Sequence, residues 1–283
     1  MTKADRPIVA NTEYHTHTGP GDVAPICIVG GAPGRMKAMA EKYLSEFTCF
    51  ENEHRGILTF DGLYKGVRVT LSTSGMGVPY VGIILPELIR SGARIIIRVG
   101  SCGSLIKESN PGDAIIVNRA RLWDGVSSQW VPWRKRFWHW LAGINSDQRV
   151  TDALLTAAAC VSMEEKAFIG TQGTTSDFNT GQARPGLFGE ISWFLKLRHW
   201  FSMKTGLIQC YSMEMAGLLA FCRYKAGGLP AGGIEAVFAN RWTNEFEAKG
   251  EDFIARIALE AAVILSRDRT LEPFLSGTFP TYK

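Results

Sequence analysis

Several features that would assign the chain to a special class of protein are missing from the sequence. No apolar run of about 18 residues free of charge is present, so no membrane-spanning helix is expected. The first residues are polar and lack the apolar core of a signal peptide. The six cysteines form no C-x-x-C pair and no metal-ligand spacing, which is typical of reduced, mostly buried thiols. These absences predict a cytoplasmic protein.

Charge and composition narrow the class further. The net charge of +4 is slight for 283 residues, so we expect neither a nucleic-acid partner nor a membrane partner. Hydrophobic residues make up 46% and charged residues 20% of the chain, as in ordinary globular proteins. Strands alternate with helices, and no repeat or linker divides the chain. We therefore predict one α/β domain over residues 1–283, with a mixed central β-sheet flanked by helices.

Two parts of this domain are set apart by composition. Residues 1–24 form a polar arm, in which His15 and His17 have no third ligand nearby and are expected to be solvated. Residues 123–148 form an insertion in which tryptophans are interleaved with basic side chains. Such a segment could bind single-stranded nucleic acid, a membrane surface or another subunit. We favour a further interpretation, in which the rings pack on the body of the protein.

Apolar runs and glycine-rich turns predict the order of the elements. Strands are expected at about residues 25–29, 67–74, 95–99, 114–119, 167–174, 207–211 and 234–239. Helices are expected at about residues 33–47, 79–91, 150–162, 216–225 and 251–266. The segment 51–65 is polar and is predicted to be rich in turns. Function is expected where the glycine-rich turns fall, at the carboxyl ends of the strands.

The most informative strand carries Arg98 within the apolar run 95–99. A buried guanidinium is costly unless an anion or a carboxylate meets it. The strand leads directly into Gly100–Gly103, where the glycine backbone and the Ser101 hydroxyl supply further donors. This arrangement suits an oxyanion such as phosphate. The alternative is a structural carboxylate that pairs with Arg98, and this stretch alone does not decide between the two.

Three further segments carry candidate ligand-binding groups. The turn 30–35 joins a strand to a helix N-terminus, which is either an anion site or a tight turn. The loop 176–184 carries an aromatic ring, a carboxamide and a guanidinium that could stack on a planar base and bind its edge, or it is a surface loop. Glu214 begins an apolar helix, either as an ordinary N-terminal acid or as a carboxylate aimed into a site. Each segment alone is a weak signal.

Seven motifs in one order strengthen these hypotheses. They are G-G-A-P-G-R (30–35), H-R (54–55), S-G-M-G-V-P (74–79), R-V-G-S-C-G (98–103), S-D-F-N-T-G-Q-A-R (176–184), Y-S-M-E-M (211–215) and A-N-R (239–241). With them the chain, over about residues 15–265, resembles the nucleoside phosphorylase superfamily of the trimeric/hexameric type, and most closely its uridine phosphorylases. The resemblance implies the α/β fold of the nucleoside phosphorylases. It also implies a pentosyltransferase of pyrimidine salvage, which converts uridine and phosphate reversibly to uracil and ribose 1-phosphate.

The resemblance also implies roles for individual residues. Phosphate would be held by Gly31, Arg35, Arg55, Arg98 and Ser101, ribose by His15, Met213 and Glu214, and the base by Phe178, Gln182 and Arg184. The residues expected to be catalytic are Arg35, Arg98, Gln182 and Arg184, with Arg241 as a possible support of the base loop. Because Arg55 and His15 would act in a neighbouring subunit's site, the resemblance implies at least a homodimer.

Departures from the family pattern refine these expectations. Purine-cleaving relatives present an aspartic acid after the last strand, whereas this chain has Arg241, which favours a pyrimidine base. Ser212 replaces a glutamate that is usual in the pyrimidine branch, which affects one expected ribose contact. Gly56 and Tyr80 replace residues that bind an interface cation in some relatives. We therefore expect no required cofactor, with inorganic phosphate as co-substrate. A cation at the dimer interface stays open as an alternative, but the usual residues do not support it.

Three alternative functions stay open at this point. They are a purine nucleoside phosphorylase, a hydrolytic nucleosidase of the same fold, and a nucleoside-binding protein without catalysis. The joint presence of Arg35, Arg55 and Arg98 argues against hydrolysis, because attack by water needs no phosphate site. Loss of catalysis would be marked by Ser212 and by the tryptophan-rich insertion.

Overall fold

The computed structural model describes residues 8–9, 11–161, 164–184 and 190–276. Its strands are β1 (Ile8–Val9), β2 (Thr12–Glu13), β3 (Ile26–Gly30), β4 (Ser45–Asn52), β5 (Ile57–Tyr64), β6 (Val67–Thr73), β7 (Ile95–Ser104), β8 (Ala114–Trp123), β9 (Ile144–Asn145), β10 (Ala167–Thr175), β11 (Cys210–Ser212) and β12 (Ala231–Asn240). Its α-helices are α1 (Pro33–Tyr43), α2 (Val78–Ser91), α3 (Ser127–Trp130), α4 (Trp133–Leu141), α5 (Gln148–Cys160), α6 (Trp193–Thr205), α7 (Met215–Tyr224), α8 (Glu251–Ser266) and α9 (Glu272–Leu275). The first seven residues of the predicted arm and the predicted helix end at 162 lie outside the described residues.

Ten of these strands pair into one sheet in the order β11, β10, β8, β12, β7, β3, β6, β5 and β4, with β9 paired to β8. Pairing is parallel between β3 and both of its neighbours, and antiparallel between β8 and β12. The predicted mixed sheet is therefore confirmed. β11 pairs with β10 on one side and with β7 on the other, so β11, β10, β8, β12 and β7 form a closed ring.

Helices cover both faces of this sheet. The strand interiors are rich in β-branched residues, and Ile95, Ile97 and Val99 of β7 are fully buried. One face is packed by α1, α5 and α8, and the other by α2 and α7. α8 packs on the sheet because Phe253 and Ile257 recur at helical spacing. Burial of one such side chain contributes about 1.5–3 kcal/mol, so these layers fix the strands that carry the site.

Two predictions at the edge of the sheet are wrong. The helix expected over 33–47 is shorter, and β4 includes its last predicted residues. The segment 51–65, predicted to be rich in turns, forms the end of β4, one turn and all of β5. The two strands pair in the antiparallel sense, and the ring of Phe47 lies 5.8 Å from the ring of Phe60 between centroids. Pairing with a neighbouring strand determines the structure of these residues, and the residue pattern within one segment does not reveal that pairing.

The aromatic insertion is partly helical, and the prediction that its rings pack on the body is wrong for α4. Trp133 is 73% exposed and Phe137 is 62% exposed. The other face of α4 lies on the body: His139 Nε2 is 2.6 Å from the hydroxyl oxygen of Tyr224, and the Lys135 ammonium lies over the same ring. Residues four apart share a helix face, so α4 is amphipathic with its apolar face outward.

The N-terminal arm, where it is described, packs on the body. β1 and β2 form a small antiparallel pair. Glu13 pairs with Arg90 of α2 at 2.6 Å, and Thr16 and Thr18 are buried next to this helix. The expectation of a solvated arm is therefore wrong for these residues, because α2 offers charged partners to the polar side chains.

All six cysteines are described and are free thiols. Four of them, Cys27, Cys102, Cys210 and Cys222, are buried as expected. Burial raises the pKa of Cys222 to about 12, which keeps this thiol protonated and unreactive. Within the described ranges, no helix has the length and apolar character needed to cross a membrane.

Candidate active site

A cavity of about 540 Å³ opens where β3, β7, β11 and β12 end. Its size is typical of small-molecule sites, which measure about 300–1,000 Å³. Nine residues predicted for the site line it, namely Gly31, Arg35, Arg98, Ser101, Phe178, Gln182, Arg184, Met213 and Glu214. Segments far apart in the sequence meet here because the ends of neighbouring strands converge at one edge of the sheet.

The turn between β3 and α1 forms one side of the cavity. A Cβ at Gly31 would lie 3.1 Å from the carbonyl oxygen of Gly75, so the close approach of two turns favours glycine. Arg35 lies in the first turn of α1, and its Nε and Nη2 groups donate to Glu251 of α8 at 2.8 and 2.7 Å. The sequence analysis did not find Glu251. Arg35 therefore lines the cavity with its charge already shared by a carboxylate.

Arg98 is held between two carboxylates. Its Nη1 group donates to Glu235 Oε1 and its Nη2 group donates to Glu214 Oε2, each at 2.6 Å. The arginine is only 3% exposed. β12 pairs Glu235 with Gly100, where any Cβ would overlap the ion pair, so the glycine after Arg98 makes room for it. The carboxylate alternative from the sequence is confirmed, since Arg98 pairs with Glu214 and Glu235. Arg98 also lines the cavity, and its role in binding phosphate stays a prediction.

Glu235 is the main residue of this region that the sequence analysis missed. It lies in β12, is 1% exposed, and its Oε1 also accepts from Gln172 Nε2 at 2.9 Å. Its Oε2 has no hydrogen-bond partner among the described residues. Burial raises the pKa of Glu235, and the charge of Arg98 opposes that shift. A signal was present in the sequence, because a lone glutamate in the apolar stretch 231–240 matches the lone arginine of β7.

Glu214 is a carboxylate aimed into the site rather than an ordinary helix acid. Its Oε1 accepts from the backbone N–H of Gly77 at 2.8 Å. Its Oε2 accepts from the Ser212 hydroxyl at 2.9 Å and from the N–H of Met213 at 3.1 Å, besides Arg98. The motif that contains Gly77 thus fixes the Glu214 carboxylate. Ser212, a departure from the family pattern, contributes to the same network.

The base loop, residues 176–184, is shaped by its own side chains. Asp177 accepts from the hydroxyl of Thr180 and, at 2.5 Å, from the N–H of Gly181. Arg241 holds the loop from below, where its guanidinium donates to the carbonyls of Gln182 and Ala183 at 3.2 and 3.4 Å. These contacts place the loop over one end of the cavity.

Three side chains of the base loop line that end. The Arg184 guanidinium lies 4.1 Å from the centroid of the Phe178 ring, in a cation–π contact. Phe178 is 52% exposed, so its other face is open to a planar group. Gln182 is buried, yet its Oε1 has no hydrogen-bond partner in the part of the chain that the structure describes. A buried carbonyl oxygen without a partner favours a ligand that brings a donor.

A cluster of basic side chains lies at and behind this end of the cavity. It consists of Arg184, Arg198, Arg241 and His199, and we call it the base-end cluster. Burial and the charge of Arg241 lower the pKa of Arg184 to about 10. Burial and the three arginines lower the pKa of His199 to about 4. Across the described ranges, no carboxylate forms an ion pair with any of these arginines, so the cluster suits a ligand that carries or acquires negative charge.

Two members of this cluster, Arg198 and His199, were not predicted. Both lie on α6, whose aromatic residues point outward; Trp193 is 74% exposed. Arg198 donates to the carbonyl of Gly181 in the base loop at 2.5 Å. The sequence contained only part of a signal: helical spacing puts Arg198 and His199 on the side of α6 away from Trp193 and Trp200, but two lysines lie among the aromatic side chains.

The family model of the phosphorylase superfamily matches residues 25–267. The chain belongs to this superfamily. It is similar to the uridine phosphorylase of Thermococcus kodakarensis, with 35% identity over 268 residues that cover 94% of this chain and 91% of the relative. It is also similar to the DeoD-type purine nucleoside phosphorylase of Bacillus thuringiensis, with 42% identity over 107 residues, or 38% of this chain and 45% of the relative. These matches confirm the predicted family.

A solved phosphorylase structure agrees with the fold. The purine nucleoside phosphorylase from Toxoplasma gondii, in complex with immucillin-H, superposes with a TM-score of 0.75 at 25% sequence identity. The match covers 92% of this chain and 99% of that one. The predicted α/β fold of the superfamily is therefore confirmed.

Three residues that the resemblance connects to the site of this phosphorylase are not among the described residues that line the cavity. Arg241 lies just behind it, under the base loop. His15 contacts Glu87 of α2, with 2.7 Å between Nδ1 and Oε1, and Arg55 lies in the exposed turn between β4 and β5. The roles of His15 and Arg55 in a neighbouring subunit stay predictions. No group of three or more potential metal ligands occurs within the described residues.

Proposed function

We propose that this phosphorylase is a uridine phosphorylase of the cytoplasm, which cleaves uridine with phosphate to uracil and ribose 1-phosphate. The observation that carries the proposal is one cavity lined by Arg35 and Arg98 at one end and by Gln182 and Arg184 at the other. Met213 and Glu214 line the same cavity, and Glu214 pairs with Arg98. The similarity to a uridine phosphorylase over nearly the whole chain supports the same reaction.

The phosphate end binds the nucleophile. Arg35, Arg98, the Ser101 hydroxyl and the backbone at Gly31 all border this end. Binding fixes phosphate below the sugar, and this orientation removes much of the entropic cost of attack. A phosphate oxygen then forms a bond to the anomeric carbon, while the bond between that carbon and the base nitrogen breaks and its electron pair leaves with the base.

The base end stabilises the charge that develops as this bond breaks. Gln182 accepts a hydrogen bond from a base N–H through its unpartnered Oε1, and Arg184 donates to a base carbonyl oxygen. The Phe178 ring stacks on the base. The fixed positive charge of the base-end cluster favours the uracil anion, by the same principle as an oxyanion hole. Glu214 accepts from ribose hydroxyls and orients the sugar.

The working enzyme in this proposal is at least a homodimer that needs no metal or other cofactor. Arg55 adds a third guanidinium to the phosphate of the neighbouring site, and His15 contacts its ribose. The exposed position of Arg55 in the turn between β4 and β5 is compatible with such a contact.

A hydrolytic nucleosidase is the second candidate, and one observation favours it. Arg98 and Arg35 already pair with three carboxylates, Glu214, Glu235 and Glu251. The phosphate end therefore has less free positive charge than its arginines suggest. We still prefer phosphorolysis, because a site for water alone gives no reason to bury a guanidinium at the cavity wall.

Uracil release from uridine, measured with and without phosphate and with inosine in parallel, tests the proposal. We expect release that depends on phosphate, with inosine left intact. Release without phosphate would identify a nucleosidase, and cleavage of inosine would identify a purine enzyme. No release from either nucleoside at any phosphate concentration would leave a binding protein.

A further inference from the structure

The phosphate end holds more carboxylates than guanidinium groups. Arg98 pairs with Glu214 and Glu235, and Arg35 pairs with Glu251. Arg98, Glu214 and Glu235 are each no more than 5% exposed, so water screens their charges weakly. If Arg98 binds phosphate, a second carboxylate on the same guanidinium brings no advantage unless that carboxylate has a separate function.

The two carboxylates on Arg98 differ in what they can reach. Glu214 lines the cavity, so a nucleoside can contact it directly. Glu235 is not among the described residues that line the cavity; it lies in β12, where Gln172 is its other donor. Each carboxylate also uses a different nitrogen of Arg98, Nη2 for Glu214 and Nη1 for Glu235. A ligand can therefore replace Glu214 on Nη2 and leave the bond to Glu235 intact.

We propose that Glu235 is a positioning residue that acts through Arg98: it holds the guanidinium at the cavity wall and weakens its affinity for phosphate. The inference rests on the proposed phosphorolysis. When the nucleoside draws Glu214 to the ribose, Nη2 becomes free for a phosphate oxygen. Glu235 keeps the buried guanidinium paired throughout, which avoids the cost of an unpaired charge. Its own negative charge then opposes the phosphate on the other side of Arg98.

Two variants separate the hydrogen bond that Glu235 accepts from Arg98 from the negative charge of Glu235. Glu235→Gln removes the charge but keeps an oxygen that accepts from Nη1, and Glu235→Met removes both at similar length. We expect the KM for phosphate to fall about tenfold in both variants, which corresponds to roughly 1.4 kcal/mol. The kcat should stay near the wild-type value in Glu235→Gln and fall in Glu235→Met, while the KM for uridine changes little in either.

Glu260→Gln is the matched control, because it removes a carboxylate charge that pairs with Tyr64 and Lys65 outside the cavity. Calorimetric titration with inorganic phosphate repeats the comparison without turnover. An unchanged or raised KM and Kd for phosphate in the folded Glu235 variants would overturn the proposal. Either variant alone decides this point if the other does not fold.

Failure of the proposed function looks different. It appears in the wild type, as uracil release that ignores phosphate or as no release. In that case the calorimetric comparison of wild type and variants still tests Glu235. Wild-type phosphorolysis together with equal phosphate affinity in all variants would instead reject Glu235 alone.

Discussion

The two ends of the cavity treat their arginines in opposite ways. At the proposed phosphate end, Arg98 and Arg35 are paired with carboxylates. At the base end, Arg184, Arg198 and Arg241 are half-buried and have no carboxylate partner in the described part of the chain. The difference teaches where each charge is needed. Phosphate arrives as an anion and can displace a carboxylate, whereas the uracil anion exists only as the bond breaks and requires a field that is already in place.

Removal of Arg98 should have the largest effect, because Arg98 is the guanidinium that both Glu214 and Glu235 contact at the phosphate end. We expect Arg98→Ala to lower kcat/KM for uridine phosphorolysis by about 100–1,000-fold, the range for loss of one oxyanion donor. The variant also leaves Glu214 and Glu235 as buried, unpaired carboxylates, which should cost roughly 3–5 kcal/mol of unfolding free energy. Steady-state kinetics and urea unfolding measure the two effects. Arg68→Ala, at an exposed arginine, is the control, and near-normal phosphorolysis in Arg98→Ala would refute its role.

Removal of Arg184 tests the base end, where the arginines have no carboxylate partner in the described part of the chain. Arg184→Ala should lower kcat for uridine by about 100-fold, because one donor to the leaving base is lost. The KM for phosphate should stay unchanged, since the two ends act on different parts of the reaction. Kinetics with uridine and phosphate varied separately provide the measurement, with Lys204→Ala on exposed α6 as control. A change confined to the phosphate KM would contradict the division between the ends.

His199, in the base-end cluster, is expected to make the stability of the fold depend on pH. Burial and the neighbouring arginines lower its pKa from 6.5 to about 4, so the folded state binds its proton less readily than the unfolded state. This histidine therefore has no effect on stability above its ordinary pKa and destabilises the fold increasingly as pH falls from 6.5 toward 4. We expect His199→Asn to reduce this acid sensitivity in urea unfolding at neutral pH and at pH of about 4.5. His54→Asn, at an exposed position, should keep the wild-type slope, and an equal slope in His199→Asn would contradict the prediction.

The smallest effect is expected at Glu251, the partly exposed partner of Arg35. Its side chain is 44% exposed, and ion pairs of this kind contribute only about 0–1 kcal/mol. Glu251→Gln should therefore change the KM for phosphate by less than about threefold, well below the expected effect at Glu235. Kinetics at varied phosphate check this order. A larger effect at Glu251 than at Glu235 would show that burial of the carboxylate does not determine how strongly it lowers phosphate affinity.

The sequence predicted more of the site than of its charge balance. Gly31, Arg98 and Gln182 belong to local motifs, and the resemblance to the family assigned these motifs to one site. Turns and strand ends are local properties, and the α/β order places them at one edge of the sheet. The partner of Arg98 on β12 depends on the register between two strands far apart in the chain, which no local pattern fixes. The same limit explains β4, which pairs across a hairpin where a helix was expected.

The outward aromatic rings of α4 were predicted wrongly, and those of α6 were not predicted, for a related reason. Helical spacing fixes which side chains share a face but does not decide which face meets the body. In α6 the face with Arg198 and His199 lies at the base end, where Arg198 donates to the base loop. The apolar face, including Trp193, is left outward.

The closed ring of strands has a mechanical consequence for this enzyme. β11 is bonded on both edges, so the segment that leads into Met213 and Glu214 cannot shift without breaking two ladders at once. Ring backbone amides such as that of Tyr211 should therefore be among the last to exchange with deuterium. The side of the cavity with Met213 and Glu214 is therefore rigid. The base loop is held instead by side-chain hydrogen bonds from Arg241 and Arg198, so we expect adaptation to substrate to occur there.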